Sequence, residues 1–100
     1  MSLRKGAGPK TLPTTLTIRG QGATDKLDVT YHNRKQSEVI ERAQAGDTMA
    51  SMVVFVVASW DTDFELTTDG VQAFEDEYPG IVGILMEGFH QARQKALEKN

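Results

Sequence analysis

Pro13-Thr14-Thr15-Leu16-Thr17-Ile18-Arg19 and, after a turn, Leu27-Asp28-Val29-Thr30-Tyr31 decide the fold class of this chain. Both segments are rich in the β-branched and aromatic residues that suit a pleated, half-buried surface. Leu16 and Ile18 share one face of the first segment, and Leu27, Val29 and Tyr31 alternate with Asp28 and Thr30 in the second. A period of two places each apolar set on one side of a strand. Gly20-Gln21-Gly22-Ala23-Thr24-Asp25 between them is turn material, so the spacing predicts a β-hairpin.

Beyond about Gln36 the period lengthens. Val39, Ile40 and Ala43 fit one face of a helix that ends near Gly46, a residue type suited to a helix terminus. Asp47 or Thr48 is placed to cap a second helix, with Met49, Met52, Val53, Val56, Val57 and Trp60 at helical spacing. The run Val53–Val57 also has the composition of a buried strand. The stripe continues through Met49 and Trp60, however, and the expectation is a helix. Asp61 to Leu66 reads as a polar connection. Thr67 is an N-cap for the next helix, and Leu66 and Val71 stand at hydrophobic-staple spacing. Gly70 occupies the position where a capping box would carry Glu. Val71, Phe74 and Tyr78 lead to Pro79, which stops this helix or opens the next. Ile81, Leu85, Phe89, Ala92 and Ala96 line a final helix. The expected fold class is therefore α+β, an N-terminal β-hairpin followed by a small bundle of three to four helices. Residues 1–11, with Gly6, Gly8 and Pro9 among charges, read as a flexible arm, and residues 12–100 as a single domain.

Composition removes several function classes. The chain has 100 residues, with 39% hydrophobic and 25% charged residues, ordinary values for a globular protein. Cysteine is absent, which excludes disulfides and thiolate metal sites. Asp61-Thr62-Asp63-Phe64-Glu65 resembles the opening of a calcium loop, but Leu66 and Gln72 stand where an EF-hand needs Gly and Glu. His32 and His90 have no ligand-spaced partner, and no serine lies in a nucleophile-elbow context. No catalytic residue, metal site or cofactor is expected. The longest apolar run, Met52–Ala58, is too short to span a bilayer, and no signal peptide is legible at the start. These features predict a cytoplasmic protein with no membrane partner. The best basic cluster, Arg34-Lys35, is too small for a phosphate backbone, so no nucleic acid is expected.

Charge is distributed unevenly within the net value of −3. No Lys or Arg occurs between Arg42 and Arg93, a stretch that holds Asp47, Asp61, Asp63, Glu65, Asp69, Glu75, Asp76, Glu77 and Glu87. The chain before Ala43 and the end after Ala92 are both net basic. Such asymmetry suits a charged partner or a second copy of the chain; the plain alternative is two solvated faces. Glu75-Asp76-Glu77 falls at the end of a predicted helix, where the macrodipole disfavours negative charge. A partner bearing Lys or Arg would account for it. Trp60 reads as core or interface. The apolar surface of four short helices exceeds what a hairpin covers, which makes a homo-oligomer an expected possibility.

The order of these features resembles the tail assembly chaperone family of long-tailed phages and prophages. The resemblance is carried by a hairpin, Tyr31-His32-Asn33-Arg34, Glu38 at a helix start, Ser59-Trp60-Asp61, Thr67 opening a helix, Tyr78-Pro79-Gly80, and Phe89 and Ala92 in the last helix. It covers roughly Leu12 to Asn100. Members commonly carry Gly before the Trp, where this chain has Ser59. The resemblance implies a non-enzymatic protein that binds the helical tape measure protein, recruits the major tail protein during virion assembly, and is absent from the mature virion. It also implies, in many members, a longer product made by ribosomal frameshifting; Glu98-Lys99-Asn100 is a tripeptide that a slippery heptamer can encode. A small interaction adaptor and a minor virion structural protein are the alternatives. Trp60, Glu75, Asp76, Glu77 and Phe89 are the candidate partner-contacting residues.

Overall fold

The computed structural model describes residues 3–20 and 22–98. Met1 and Ser2 of the arm, and Lys99 and Asn100 of the slippery tripeptide, lie outside the described residues. The elements are β1 (Thr11–Gly20), β2 (Ala23–His32), α1 (Gln36–Gln44), α2 (Met49–Val56), β3 (Val57–Trp60), α3 (Thr68–Glu77) and α4 (Ile81–Glu98). The fold class is α+β, with an antiparallel sheet of order β1-β2-β3.

The hairpin pairs from Thr11↔His32 to Gly20↔Ala23. It is longer than the six-residue turn read from the sequence allows. Gly22, at φ +80°, takes the left-handed conformation that a tight hairpin loop needs, so Ala23 to Asp25 are free to pair. The register sets Leu12 opposite Tyr31 and Leu16 opposite Leu27, all buried on one face. The other face is exposed and rich in threonine, and there Thr15 Oγ1 donates to Asp28 Oδ1 at 2.7 Å. Pro13 sits in β1, an edge strand, where a missing N–H costs no interior ladder bond. Asn33 ties the start of β1 to the end of β2, since its backbone N–H donates to Lys10 O and its Nδ2 to Pro9 O.

The helix expected to run through Trp60 ends at Val56, and the next four residues form a strand. Met52, Val53 and Val56 occupy the buried helical face, whereas Val57 and Trp60 pair with Tyr31 and Val29 of β2. No glycine or proline marks the change. The second edge of β2 offers unpaired backbone groups to a β-branched segment, and that tertiary option overrides the local period. The ladder shifts register between Thr30 and Tyr31, an irregularity that bends the short strand. Arg34 Nε donates to the Phe55 carbonyl at 2.9 Å, supplying a partner to one helix-terminal acceptor.

Thr48 and Thr67 cap α2 and α3, each side chain accepting a backbone N–H three residues on, from Ser51 and Gly70. Gly70 is more than a gap in a capping box. A Cβ there would overlap the Glu65 carbonyl, because the connection folds back over the first turn of α3.

The core lies between the buried sheet face and α2, α3 and α4. Tyr31, Val53, Val56, Val71, Leu85 and Phe89 are fully enclosed. Tyr31 Oη donates to Leu85 O at 2.8 Å, and its ring lies 5.8 Å from that of Phe89. Burial pushes the phenol well above its ordinary range, so it stays a protonated donor. Gly88 permits this approach, since a Cβ would lie 2.5 Å from Tyr31 Oη and 2.7 Å from Leu16 Cδ2. Gly88→Ala is therefore expected to destabilise by about 1–3 kcal/mol through overpacking, although helix propensity alone favours Ala by about 1 kcal/mol. Tyr31→Phe is expected to cost about 0.5–1.5 kcal/mol. Urea unfolding of both variants checks this, and a Gly88→Ala protein more stable than the parent would contradict the close packing.

Candidate functional site

The junction between α3 and α4 explains the acidic triplet. Tyr78 is the C-cap of α3, and Pro79 and Gly80, the latter at φ +99°, turn the chain directly into α4. Glu75, at the unfavourable end of one helix dipole, thereby reaches the favourable end of the next. Its Oε2 accepts from Gly80 N at 2.8 Å and its Oε1 from Val82 N at 3.0 Å. These two backbone bonds hold its carboxyl below the usual glutamate range. Asp76 accepts from Gln72 Nε2 at 3.0 Å on the exposed side of α3, and Glu77 is exposed. The three acids therefore divide: Glu75 joins two helices, while Asp76 and Glu77 face outward.

Beside this junction lies a cluster of four aromatic rings. Phe64 stacks on Phe74 with centroids 4.4 Å apart and planes 11° from parallel. Trp60 meets Phe74 edge-on at 5.4 Å, and Tyr78 meets Phe74 and Phe64 edge-on at 5.7 and 6.4 Å. Trp60 Nε1 donates to Phe64 O at 3.0 Å, which fixes the connection over the rings. Asp61 anchors the start of that connection to the sheet, its backbone N–H donating to Asp28 O and its Oδ1 accepting from Asp28 N. Phe74 is buried, Trp60 and Phe64 are half-buried, and Tyr78 is 49% exposed. Exposed Asp61, Asp63, Glu65, Asp69, Asp76 and Glu77 lie on the same connection and helix. Among the described residues the one ion pair is Arg42–Asp47, so none of these six carboxylates is paired with a cation there. The result is a segment that carries partly exposed aromatic rings and uncompensated negative charge together.

The candidate residues thus fall in two places. Trp60, Asp76 and Glu77 belong to this segment, and Glu75 braces it from behind. Phe89 does not, because its ring is fully enclosed between Tyr31 and the other core side chains. Helical spacing put Phe89 on an apolar stripe without showing that the sheet covers that stripe. Phe64 and Tyr78 are not among the candidates the sequence offers, because their exposure depends on how the connection folds back. Among the described residues no cluster of three or more metal-ligating side chains occurs, and no helix is long and apolar enough to cross a membrane.

Glu75 makes the junction sensitive to pH. A carboxyl lowered in the folded state contributes stability in full above the ordinary glutamate range and loses it as the pH falls through the lowered value. Glu75→Gln is expected to lower the melting temperature at neutral pH and to flatten the acid limb of the stability profile. Thermal melts of both proteins from neutral to strongly acidic pH check this, and parallel profiles would show that the carboxylate is not what holds α4.

Comparison with known proteins agrees with the resemblance read from the sequence. The family model described as phage tail assembly chaperone matches residues 6–100, nearly the whole chain. No curated protein and no solved structure matches the chain. The chain belongs to the phage tail assembly chaperone family.

Proposed function

We propose that this protein binds the tape measure protein, a long helical chain, during virion assembly and helps to recruit the major tail protein to it, without a catalytic step. The acidic aromatic surface over Trp60–Tyr78 carries this reading. A helix made before its tube exists exposes an apolar stripe that would otherwise aggregate. Half-exposed Trp60 and Phe64 and the Tyr78 ring supply flat apolar area for such a stripe. The surrounding carboxylates select helices that carry Lys or Arg beside the stripe and speed the encounter. They also keep copies of the chaperone apart at this face.

Co-expression tests the reading. The tape measure protein is expected to gain soluble yield and to co-purify with this chain, and equal solubility without it would contradict the proposal. The double variant Asp76→Asn, Glu77→Gln, with Glu75 retained because it braces α4, is expected to change stability by less than about 1 kcal/mol. It should weaken binding most at low salt, where surface charges are least screened. Unchanged binding at low salt would reduce these acids to a solvated face.

A further inference from the structure

Two bonds fix which way each residue of the hairpin turns its backbone. Asn33 N donates to Lys10 O, and Asp28 O accepts from Asp61 N on the side of β3. In the register of the hairpin, the even-numbered residues of β1 therefore point their N–H and C=O at β2. Thr11, Pro13, Thr15, Thr17 and Arg19 point theirs outward. Among the described residues nothing pairs with that side, since β1 ends the sheet. Pro13 fits this geometry, because its missing N–H is an outward one. Exposed edges are usually blunted by charges, bulges and proline. The ten-residue β1 has only Pro13 and, near its far end, Arg19.

Helix α4 runs beside this edge. Thr15 to Thr17 face Glu87, Gln91 and Lys95 of α4 across a shallow hollow. These three helix residues stand four apart on one side of α4, and all are exposed. Ile84, 37% exposed, continues the row toward the helix start. Glu87 lies on one side of Gln91, and Lys95 lies equally far on the other with the opposite charge. The two are about 12 Å apart along the helix, and among the described residues neither belongs to an ion pair. Such a row is complementary to its own reverse.

We infer that the β1 edge receives a second copy of this chain, joined antiparallel about a two-fold axis that passes by Thr15–Thr17 and Gln91. The second β1 satisfies the outward backbone groups of Thr15 and Thr17 and doubles the three-stranded sheet. The same axis sets Glu87 of each copy against Lys95 of the other, as a self-complementary interface requires. The two Arg19 side chains fall at opposite ends, so no like charges meet along the paired strands. Trp60, in the proposed client surface, is on β3 at the other edge of the sheet, which leaves both client surfaces open. The pairing does not depend on the chaperone reading.

Sedimentation equilibrium of the full chain alone is expected to show a species of twice the chain mass that dissociates on dilution. Glu87→Lys sets like charges together at both symmetric contacts, and should raise the dissociation constant at least about tenfold at low salt. Lys95→Glu should do the same. The double variant Glu87→Lys, Lys95→Glu should return it close to the parent value. That rescue has to come across the interface, because the two positions are too far apart to pair within one chain. Thr17→Pro removes an outward N–H and no bond to β2, so it is expected to keep the thermal transition and lose the dimer. The charge exchange decides the question even where Thr17→Pro unfolds. A chain that stays monomeric at sub-millimolar concentration would overturn the inference, as would a dimer indifferent to the charge variants. Protection of β1 amides that appears only when the tape measure protein is added would assign the edge to that chain, and would overturn it too.

Discussion

The approach of α4 to the sheet is the constraint on which the rest of the molecule depends. Tyr31 crosses the core to donate to Leu85 O at 2.8 Å, and Gly88 leaves the space that its hydroxyl and Leu16 fill. A small domain has few such anchors, because so much of its surface stays in water. With α4 fixed at this distance, Phe89 is sealed against Tyr31, and the helix N-terminus is fixed close to the end of α3. Glu75 then closes the corner by accepting from Gly80 and Val82. The position of the outward-facing acids follows from that corner.

On the proposed function, stability and recognition fall to different parts of the molecule. The enclosed side chains carry the first, in one cluster between the sheet and α2, α3 and α4. The proposed function assigns the second to elements that the core holds only by one side, namely the folded-back connection with Phe64 and the cap residue Tyr78. Their backbone is pinned by specific bonds, such as Trp60 Nε1 to Phe64 O and the paired bonds between Asp28 and Asp61. Their apolar groups remain partly in water. Under the proposed function this arrangement is an advantage, since the acidic aromatic surface is formed before a client helix arrives.

Much of the fold was legible because its signals are local. Alternation in Leu27-Asp28-Val29-Thr30-Tyr31 specifies a strand without reference to anything distant, and Thr67 with Leu66 and Val71 announces a helix start. β3 was not legible, because Val53-Val54-Phe55-Val56-Val57 satisfies both periods. The choice is made by the open edge of β2, more than twenty residues earlier in the chain. Gly70 reads in the sequence as a defect in a capping box, because nothing local shows that the Glu65 carbonyl lies above it. The charge asymmetry pointed to the acidic surface. Its internal division did not show, because Glu75 differs from Asp76 and Glu77 only in what the next helix brings near. Phe89 and Trp60 shared the same description, an aromatic on an apolar stripe, and burial alone separates them.

The central claim is that the connection and α3, from Trp60 to Tyr78, form the surface that holds a basic amphipathic helix. Amide hydrogen exchange of the chain with and without the tape measure protein addresses it most directly. The account predicts slowed exchange concentrated in residues 60–78, with the threonine-rich outer face of the hairpin unchanged. Protection confined to that outer face, with residues 60–78 exchanging as in the free chain, would contradict it.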